Sequence, residues 1–556
     1  MDIVHHMNRE PCALYDLLIP LYFTDLIVTS QDQINIKRRE VIEYMQHHVL
    51  SNPITSIPSS FLALRPPQFQ YAYHNKNDVS LFTQMSSFYR KVTGWRDEKG
   101  RQSSCPRDRI NVAFVSNMFS RLSSVMRDRQ GIIKHLSRDE FYVTLIVFDP
   151  PQDEFAKALY KSVDRIILLN RTVSDQLAGM RRFNFDVIVY GDLNMCGETL
   201  AMSHHRLAPV QINTWGHSDT SGISTIDYYI SSKLYELGND SRDAPCDVAP
   251  CDATPCDAQA QYSETLILHD GLCTYYDRPL DPQSVNFLPR SYFGLPDQAI
   301  IYLCYQSLFK ISPEFQGVIR KIVHASIHNV VVFIKGFLGC QEQINFYKMF
   351  EASVGYPHIN QIYILERQDF VKINNIVHVS DVALDTFPFG GCNTTLECFN
   401  LGKPVVTMPS SFLRGRFTLG FYKAMGIDEF IVSSEDEYVD KAQRLGSDRA
   451  YREKWSTIIK NKSSVLWNDR KSITEWENTL VELSKPYVHR VNMLDNVSML
   501  LPCPVKITGK LQMTAYANNK NHIVRLLLQH GFTLEKSEDQ VYFTDGIWSV
   551  FIDPLP

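Results

Sequence analysis

Three short stretches of this chain carry side chains whose types and spacing suit chemistry on an anion. The first is GGCNTTLE, Gly390 to Glu397. An apolar run, VALD, leads into it, and a helix-like run follows from about Asn393. A helix start offers unpaired N–H groups and partial positive charge, which suits a phosphate. Gly390 and Gly391 allow close backbone approach. Asn393, Thr394 and Thr395 add short polar side chains, and Glu397 falls one turn in, where it can reach a ribose hydroxyl. Ordinary helix capping by Asn or Thr explains the same residues, so both readings stand on this stretch alone.

The second stretch is CYQSLFKISPEF, 304 to 315. Ser312 and Pro313 mark a helix start. Lys310 stands just before it, where an ammonium can neutralise a pyrophosphate; the bland alternative is a solvated lysine. The third is APVQINTWGHSDTSGISTIDYYI, 208 to 230, a strand ending in a turn that holds His217, Asp219, Thr220, Ser221 and Gly222. His217 is a candidate general base, because its ordinary pKa lies near neutrality, or else a hydrogen-bonded loop histidine. No D-x-D pair, P-loop or G-x-G-x-x-G occurs. Charge on a bound diphosphate must then be met by Lys310 and a helix end.

The elements that must position these residues follow from pattern. At 556 residues, two or three domains are expected. Residues 1–104 read as helical: QDQINIKRREVIEYMQHHVL and VSLFTQMSSFYRKVTGW both have helical periodicity, and no 34-residue repeat is visible. From 105 to 240, INVAFVSN, FYVTLIVFD, RIILL, FDVIVYGDL and VQINTWG alternate with amphipathic stretches. From 263 to 488, AIIYLCYQ, NVVVFIKG, QIYILE, VALD and PVVTMP do the same. Strands alternating with helices mean βαβ units. The expected class is therefore α/β, with two Rossmann-like, doubly wound parallel sheets facing a cleft, plus the N-terminal helical region. Ligands in such sheets sit beyond the carboxyl ends of the strands.

Between the halves, residues 241–262 hold APCDVAPCDATPCDA, a five-residue unit repeated three times. Its prolines and small residues build no core, so an exposed insertion is expected. A metal site from Cys246, Cys251 and Cys256 is the alternative, though the spacing matches no standard zinc pattern. In the extension, 489–556, NNKNHIVRLLLQHGF resembles the second helix of an ankyrin unit; a packed helix is the simpler expectation.

Composition narrows the class. Hydrophobic residues make up 44% and the net charge is -5, with no basic block, so a nucleic-acid partner is not suggested. Twelve scattered cysteines without C-x-x-C spacing fit a reducing, cytoplasmic or nuclear setting. CALYDLLIPLYFTDLIVTS, with Asp16 and Asp25, is too short and too charged to span a membrane and reads as a buried helix. Neither a signal peptide nor a lipidation motif is visible.

Taken together, these motifs resemble a family. DTFPFGGCNTTLECFNLGKPVVTMP and the following LRGRFTLGFYKAMGIDEFIVSSEDEYVDKAQRLGSD resemble the C-terminal catalytic half of O-linked N-acetylglucosaminyltransferases. YQSLFKISPEF resembles their nucleotide-contacting loop, LAPVQINTWGHSDTSGISTIDYYI a signature of their first half, and QYSETLILHDG the segment leading into the second. The resemblance runs in order over roughly 105–485. TFPFGGCNTT and Gly216–His217 are also similar to bacterial cytoplasmic N-glucosyltransferases, and a further relative transfers fucose from GDP-fucose.

The resemblance implies a GT-B fold and an inverting glycosyltransferase that needs no metal or other cofactor. It would use a UDP-sugar, UDP-GlcNAc foremost, as co-substrate and a protein or peptide Ser/Thr as acceptor. It implies Lys310 as the pyrophosphate lysine, Gln306 in the nucleotide loop, and Gly391, Asn393, Thr394 and Thr395 in the phosphate turn. Glu397 stands where the family has an aspartate for the ribose. His217 matches the N-glucosyltransferase histidine, where O-linked enzymes usually carry tyrosine. Cys392 replaces a family histidine, and Met118, Leu122 and Met126 occupy the stretch where the family has an aspartate and histidines. These departures favour a rival reading, a degenerate sugar-nucleotide-binding protein.

Overall fold

The computed structural model describes residues 17–22, 30–47, 65–95, 109–119, 123–148, 153–169, 172–236, 257–279, 287–335, 340–366 and 370–485, a few isolated residues, and five strands between 505 and 553. Near the N-terminus, helices α1 (Gln31–His47) and α2 (Val79–Thr93) form where periodicity places them. Val41 and Met45 of α1 join one core with Phe82, Met85 and Phe88 of α2. Spacing near 3.6 residues puts each set on one helix face. The chain between them, 65–78, runs back across the body of the protein as a short helical turn, Gln68–Tyr71, extended by Ala72–His74.

The first sheet has seven parallel strands: β1 (Ile110–Val115), β2 (Phe141–Val147), β3 (Arg165–Leu168), β4 (Val187–Tyr190), β5 (Val210–Thr214), β6 (Tyr228–Ser232) and β7 (Thr265–His269). Their order is β3-β2-β1-β4-β5-β6-β7. The central strands β1, β4 and β5 are buried at every position, as strands covered on both faces must be. Helix α3 (Ser124–His135) follows β1, and the Ser123 hydroxyl caps it by accepting the Val125 N–H.

The second sheet is β10-β9-β8-β11-β12, also parallel. It comprises β8 (Ile300–Cys304), β9 (Asn329–Ile334), β10 (Ile362–Leu365), β11 (Val382–Leu384) and β12 (Val405–Val406). Helix α4 (Pro313–Ala325) starts with Ser312 as cap and Pro313 in its first turn, as the sequence indicates. Helix α5 (Asn393–Asn400) follows β11. Helix α6 (Arg470–Ser484) returns to the first sheet: Trp476 Nε1 donates to Cys273 O (2.9 Å), and Glu477 Oε1 accepts the Ser137 N–H (2.7 Å).

The two-sheet GT-B architecture is as expected, with one correction of extent. QYSETLILHDG does not open the second domain at 263. Its central residues form β7, which pairs with β6 at Tyr228↔Thr265 through Ser232↔His269. The chain leaves the first sheet only after that strand, because TLILH supplies the edge partner that β6 needs. In the extension the described backbone is strand, in the order β13-β14-β17-β16-β15 over Val505–Ile507, Gln512–Tyr516, Ser549–Asp553, Val541–Thr544 and Thr533–Lys536. The ankyrin-like stretch, Leu122 and the cysteines of the APCD units lie outside the described residues. Among described residues no helix is long and apolar enough to cross a membrane.

Candidate active site

In each sheet the strand order reverses direction at one place, between β1 and β4 and between β8 and β11. Loops that leave such neighbouring strands diverge and open a crevice. The loop after β8 carries Gln306 and Lys310, and the loop after β11 carries the glycine turn. They meet. Lys310 Nζ donates to Gly390 O (2.7 Å) and Gln306 Oε1 (3.0 Å), while Gln306 Nε2 donates to Thr394 Oγ1 (2.6 Å). The lysine and the helix start therefore share one corner, joined through Gln306.

The helix start carries no side-chain cap. Cys392 is its N-cap residue, so the capping alternative for Asn393 and Thr394 does not hold. Asp385 shapes the turn, its carboxylate accepting the Gly391 N–H (2.6 Å) and the Thr407 hydroxyl (2.8 Å). A Cβ at Gly391 would lie 2.3 Å from Gln306 Nε2 and 2.5 Å from Thr394 Oγ1, closer than real contacts allow. A side chain there would have to displace the Gln306 amide and the Thr394 hydroxyl. Burial lowers the Lys310 pKa to about 8, against the opposing charge of Asp385.

Two expected ligand groups are engaged elsewhere. Asn393 Nδ2 donates to Asp128 Oδ1 of α3 (2.9 Å), so its side chain ties the two domains together. Glu397 is buried and ion-paired with Arg127 of α3. Reading a ribose contact from its place one turn into the helix missed a guanidinium 270 residues away that claims the carboxylate. Thr395 exchanges a hydrogen bond with Thr418 (2.9 Å). Cys392 Sγ contacts the Tyr276 hydroxyl (3.3 Å), and burial pushes its pKa up.

On the facing sheet, His217 follows β5 on a tight turn. A Cβ at Gly216 would stand 1.6 Å from Gly191 O, so glycine there lets the tips of β4 and β5 touch. His217 is 4% exposed, and its Nε2 bonds Phe69 O (3.1 Å). Among the described residues its Nδ1 has no partner. Desolvation lowers its pKa to about 3, with Arg414 adding repulsion. Phe69, Tyr73 and Phe389 surround the ring at 4.9, 6.1 and 6.3 Å. Phe389 in turn lies 4.5 Å beneath the Lys310 ammonium. The histidine and the lysine thus flank one aromatic ring.

Sequence reading missed three residues. Asp192, just past β4, accepts the Ser116 hydroxyl and the Asn117 N–H, both at 2.9 Å, and burial raises its pKa to about 6. Glu264 organises the His217 turn by accepting from Thr220 Oγ1 (2.6 Å) and the Ser221 N–H (2.8 Å). Arg414, 3% exposed at its side chain, bridges Asp219 Oδ2 (3.0 Å) and Asp78 Oδ2 (3.3 Å). The carboxylate in GDLN was the one available signal, since it ends a strand.

Residues 279–475 match the profile of Glycosyl transferase family 41. The chain is 28% identical over 273 residues to the probable UDP-N-acetylglucosamine–peptide N-acetylglucosaminyltransferase SPINDLY of Petunia hybrida, covering 48% of this chain and 26% of that protein. It is 26% identical over 208 residues to the UDP-N-acetylglucosamine–peptide N-acetylglucosaminyltransferase of Caenorhabditis elegans, covering 37% and 18%. The match thus spans about a quarter or less of those relatives' length. A mutant O-GlcNAc transferase from Thermobaculum terrenum shares the fold, with a TM-score of 0.64 at 20% identity over 82% of each chain. With the motifs in order and the two sheets facing each other, residues 279–475 of this chain are similar to glycosyl transferase family 41.

Proposed function

We propose that this protein is an inverting glycosyltransferase that moves a sugar, GlcNAc foremost, from a UDP-sugar to a serine or threonine of a protein acceptor. The observation that carries the reading is the convergence of Lys310 with the uncapped α5 start at the switch point of the second sheet. A diphosphate placed there meets one ammonium and the first N–H groups of α5. Both stabilise the negative charge that grows on the UDP leaving group, and they do so preorganised. No divalent cation is required for that role. The names of the relatives support the UDP-GlcNAc and peptide assignments.

The acceptor approaches from the first sheet, past Ser116, Asn117 and His217. With Nε2 donating to Phe69 O, the His217 nitrogen that can accept a proton is Nδ1. At a pKa of about 3 it is a weak base while the aromatic groups bury it. N-glucosyl or O-fucosyl transfer on the same scaffold differs only in donor and acceptor. The paired Glu397 and the buried His217 are what a donor-binding protein without turnover also has.

The test is calorimetric titration of UDP into the protein and its Lys310→Ala variant, followed by turnover with UDP-GlcNAc, UDP-Glc and GDP-fucose in parallel. Loss of UDP affinity in the variant, with transfer from UDP-GlcNAc to peptide, is expected. Unaltered UDP affinity in Lys310→Ala would refute the site.

A further inference from the structure

The segment 65–78 lies across the candidate site rather than beside it. Phe69 packs edge-on against His217 (4.9 Å) and Phe309 (5.9 Å). Tyr73 packs against Phe309 (4.8 Å) and Phe389 (4.6 Å), the ring that carries the Lys310 ammonium. The Phe69 carbonyl occupies His217 Nε2. What remains beside Lys310 is a cavity of about 30 Å³ lined by Phe69, Tyr73, Phe309 and Pro388. That admits water, whereas a pocket for a small organic ligand needs several hundred Å³.

The attachment of this segment is uneven. Behind it, Asp78 is held by Arg38 (2.6 Å) and Arg414 (3.3 Å), and Lys76 O accepts from Arg414 Nη2 (2.6 Å). Between this anchor and the aromatic face, Asn75 takes left-handed backbone angles (φ 52°, ψ 44°), a conformation that marks a change of chain direction. At the other end stand Pro66 and Pro67. The short turn 68–74 is therefore a strap hinged near Asn75. Tyr71, on its back, bonds Leu21 O (2.9 Å).

We propose that residues 66–74 are an autoinhibitory strap, and that a nucleoside diphosphate reaches Lys310 only when Phe69 and Tyr73 leave Phe309, Phe389 and His217. Release does two things together. It opens space at the lysine, and it frees the His217 ring from the carbonyl and the aromatic packing. Nucleotide binding and exposure of the acceptor-side base then become one event. The inference rests on the nucleotide-sugar reading above.

The experiment follows hydrogen exchange by mass spectrometry on the full chain, with and without UDP, alongside UDP affinity in the wild type and in Phe69→Ala/Tyr73→Ala. The Phe69 and Gln70 amides, bonded to Pro66 O (3.1 Å) and Pro67 O (3.0 Å), report the strap. UDP should speed their exchange, and the double variant should bind UDP at least about fivefold more tightly, because it no longer spends binding free energy on opening. UDP bound with these amides still protected and with equal affinity in the variant overturns the strap while leaving the glycosyltransferase reading intact. Failure of both proteins to bind UDP overturns both readings. If the double variant does not fold, exchange in the wild type decides.

Discussion

Lys310 gives the sharpest quantitative test of the site. Burial holds its pKa near 8, against an ordinary 10.5. In the free protein its ammonium is thus nearly full at pH 7 and largely lost at pH 9. A bound diphosphate keeps the lysine charged, so the complex takes up a proton as pH rises. With a pKa of 8 the protonated fraction falls from about nine-tenths at pH 7 to about one-tenth at pH 9, and UDP affinity should fall about tenfold, or ~1.4 kcal/mol. The terminal phosphate, with its pKa near 6, is already ionised and contributes little to this slope. Lys310→Met should weaken binding at pH 7 by ~1.5–3 kcal/mol, the worth of a charged hydrogen bond, and flatten the profile. Lys403 is the control. Its pKa is also lowered to about 8, but it donates to carbonyls of His378 and Ser380, at the end of the second sheet opposite the site. Lys403→Met should leave the slope in place. Calorimetry at constant ionic strength between pH 7 and 9 measures it. A flat profile in the wild type, or an unchanged slope in Lys310→Met, refutes the assignment of Lys310 to the phosphates.

Other expectations follow from single contacts. Gly391→Ala should reduce UDP affinity at least tenfold with little change in Tm, since its Cβ strikes Gln306 Nε2 and Thr394 Oγ1 rather than the core; retained affinity argues against the turn. His217, with its pKa lowered to about 3, favours the folded state above its unfolded pKa of 6.5, and that contribution is lost as pH falls through the window between them. Stability should drop by about 3 kcal/mol more between pH 7.5 and 4 in the wild type than in His217→Gln, at ~1.36 kcal/mol per unit, read by urea denaturation. Arg414→Met leaves the buried Asp219 without its cation, while Arg38 still holds Asp78, so it should cost ~3–5 kcal/mol at neutral pH. Denaturation midpoints equal to wild type would show that the pair is not buried as a unit.

The sequence by itself determined the local pieces. Runs such as NVVVFI declare a strand buried on both faces, because a strand covered by helices on each side is what satisfies five consecutive apolar, mostly β-branched side chains. Ser312-Pro313 declares a helix start, since it supplies a cap and a preset φ within four residues. These local rules located Lys310 and the Asn393 helix start, and the strand order that parallel sheets favour put them in one corner. What the chain could not disclose is which distant group takes each polar atom. Glu397 is spoken for by Arg127, Asn393 by Asp128 and His217 by the Phe69 carbonyl. These partners lie 270, 265 and 148 residues away, and no periodicity links them. Only the packed molecule fixes whether a polar group faces ligand or protein, because desolvation and pairing depend on everything that surrounds the atom, not on its neighbours along the chain.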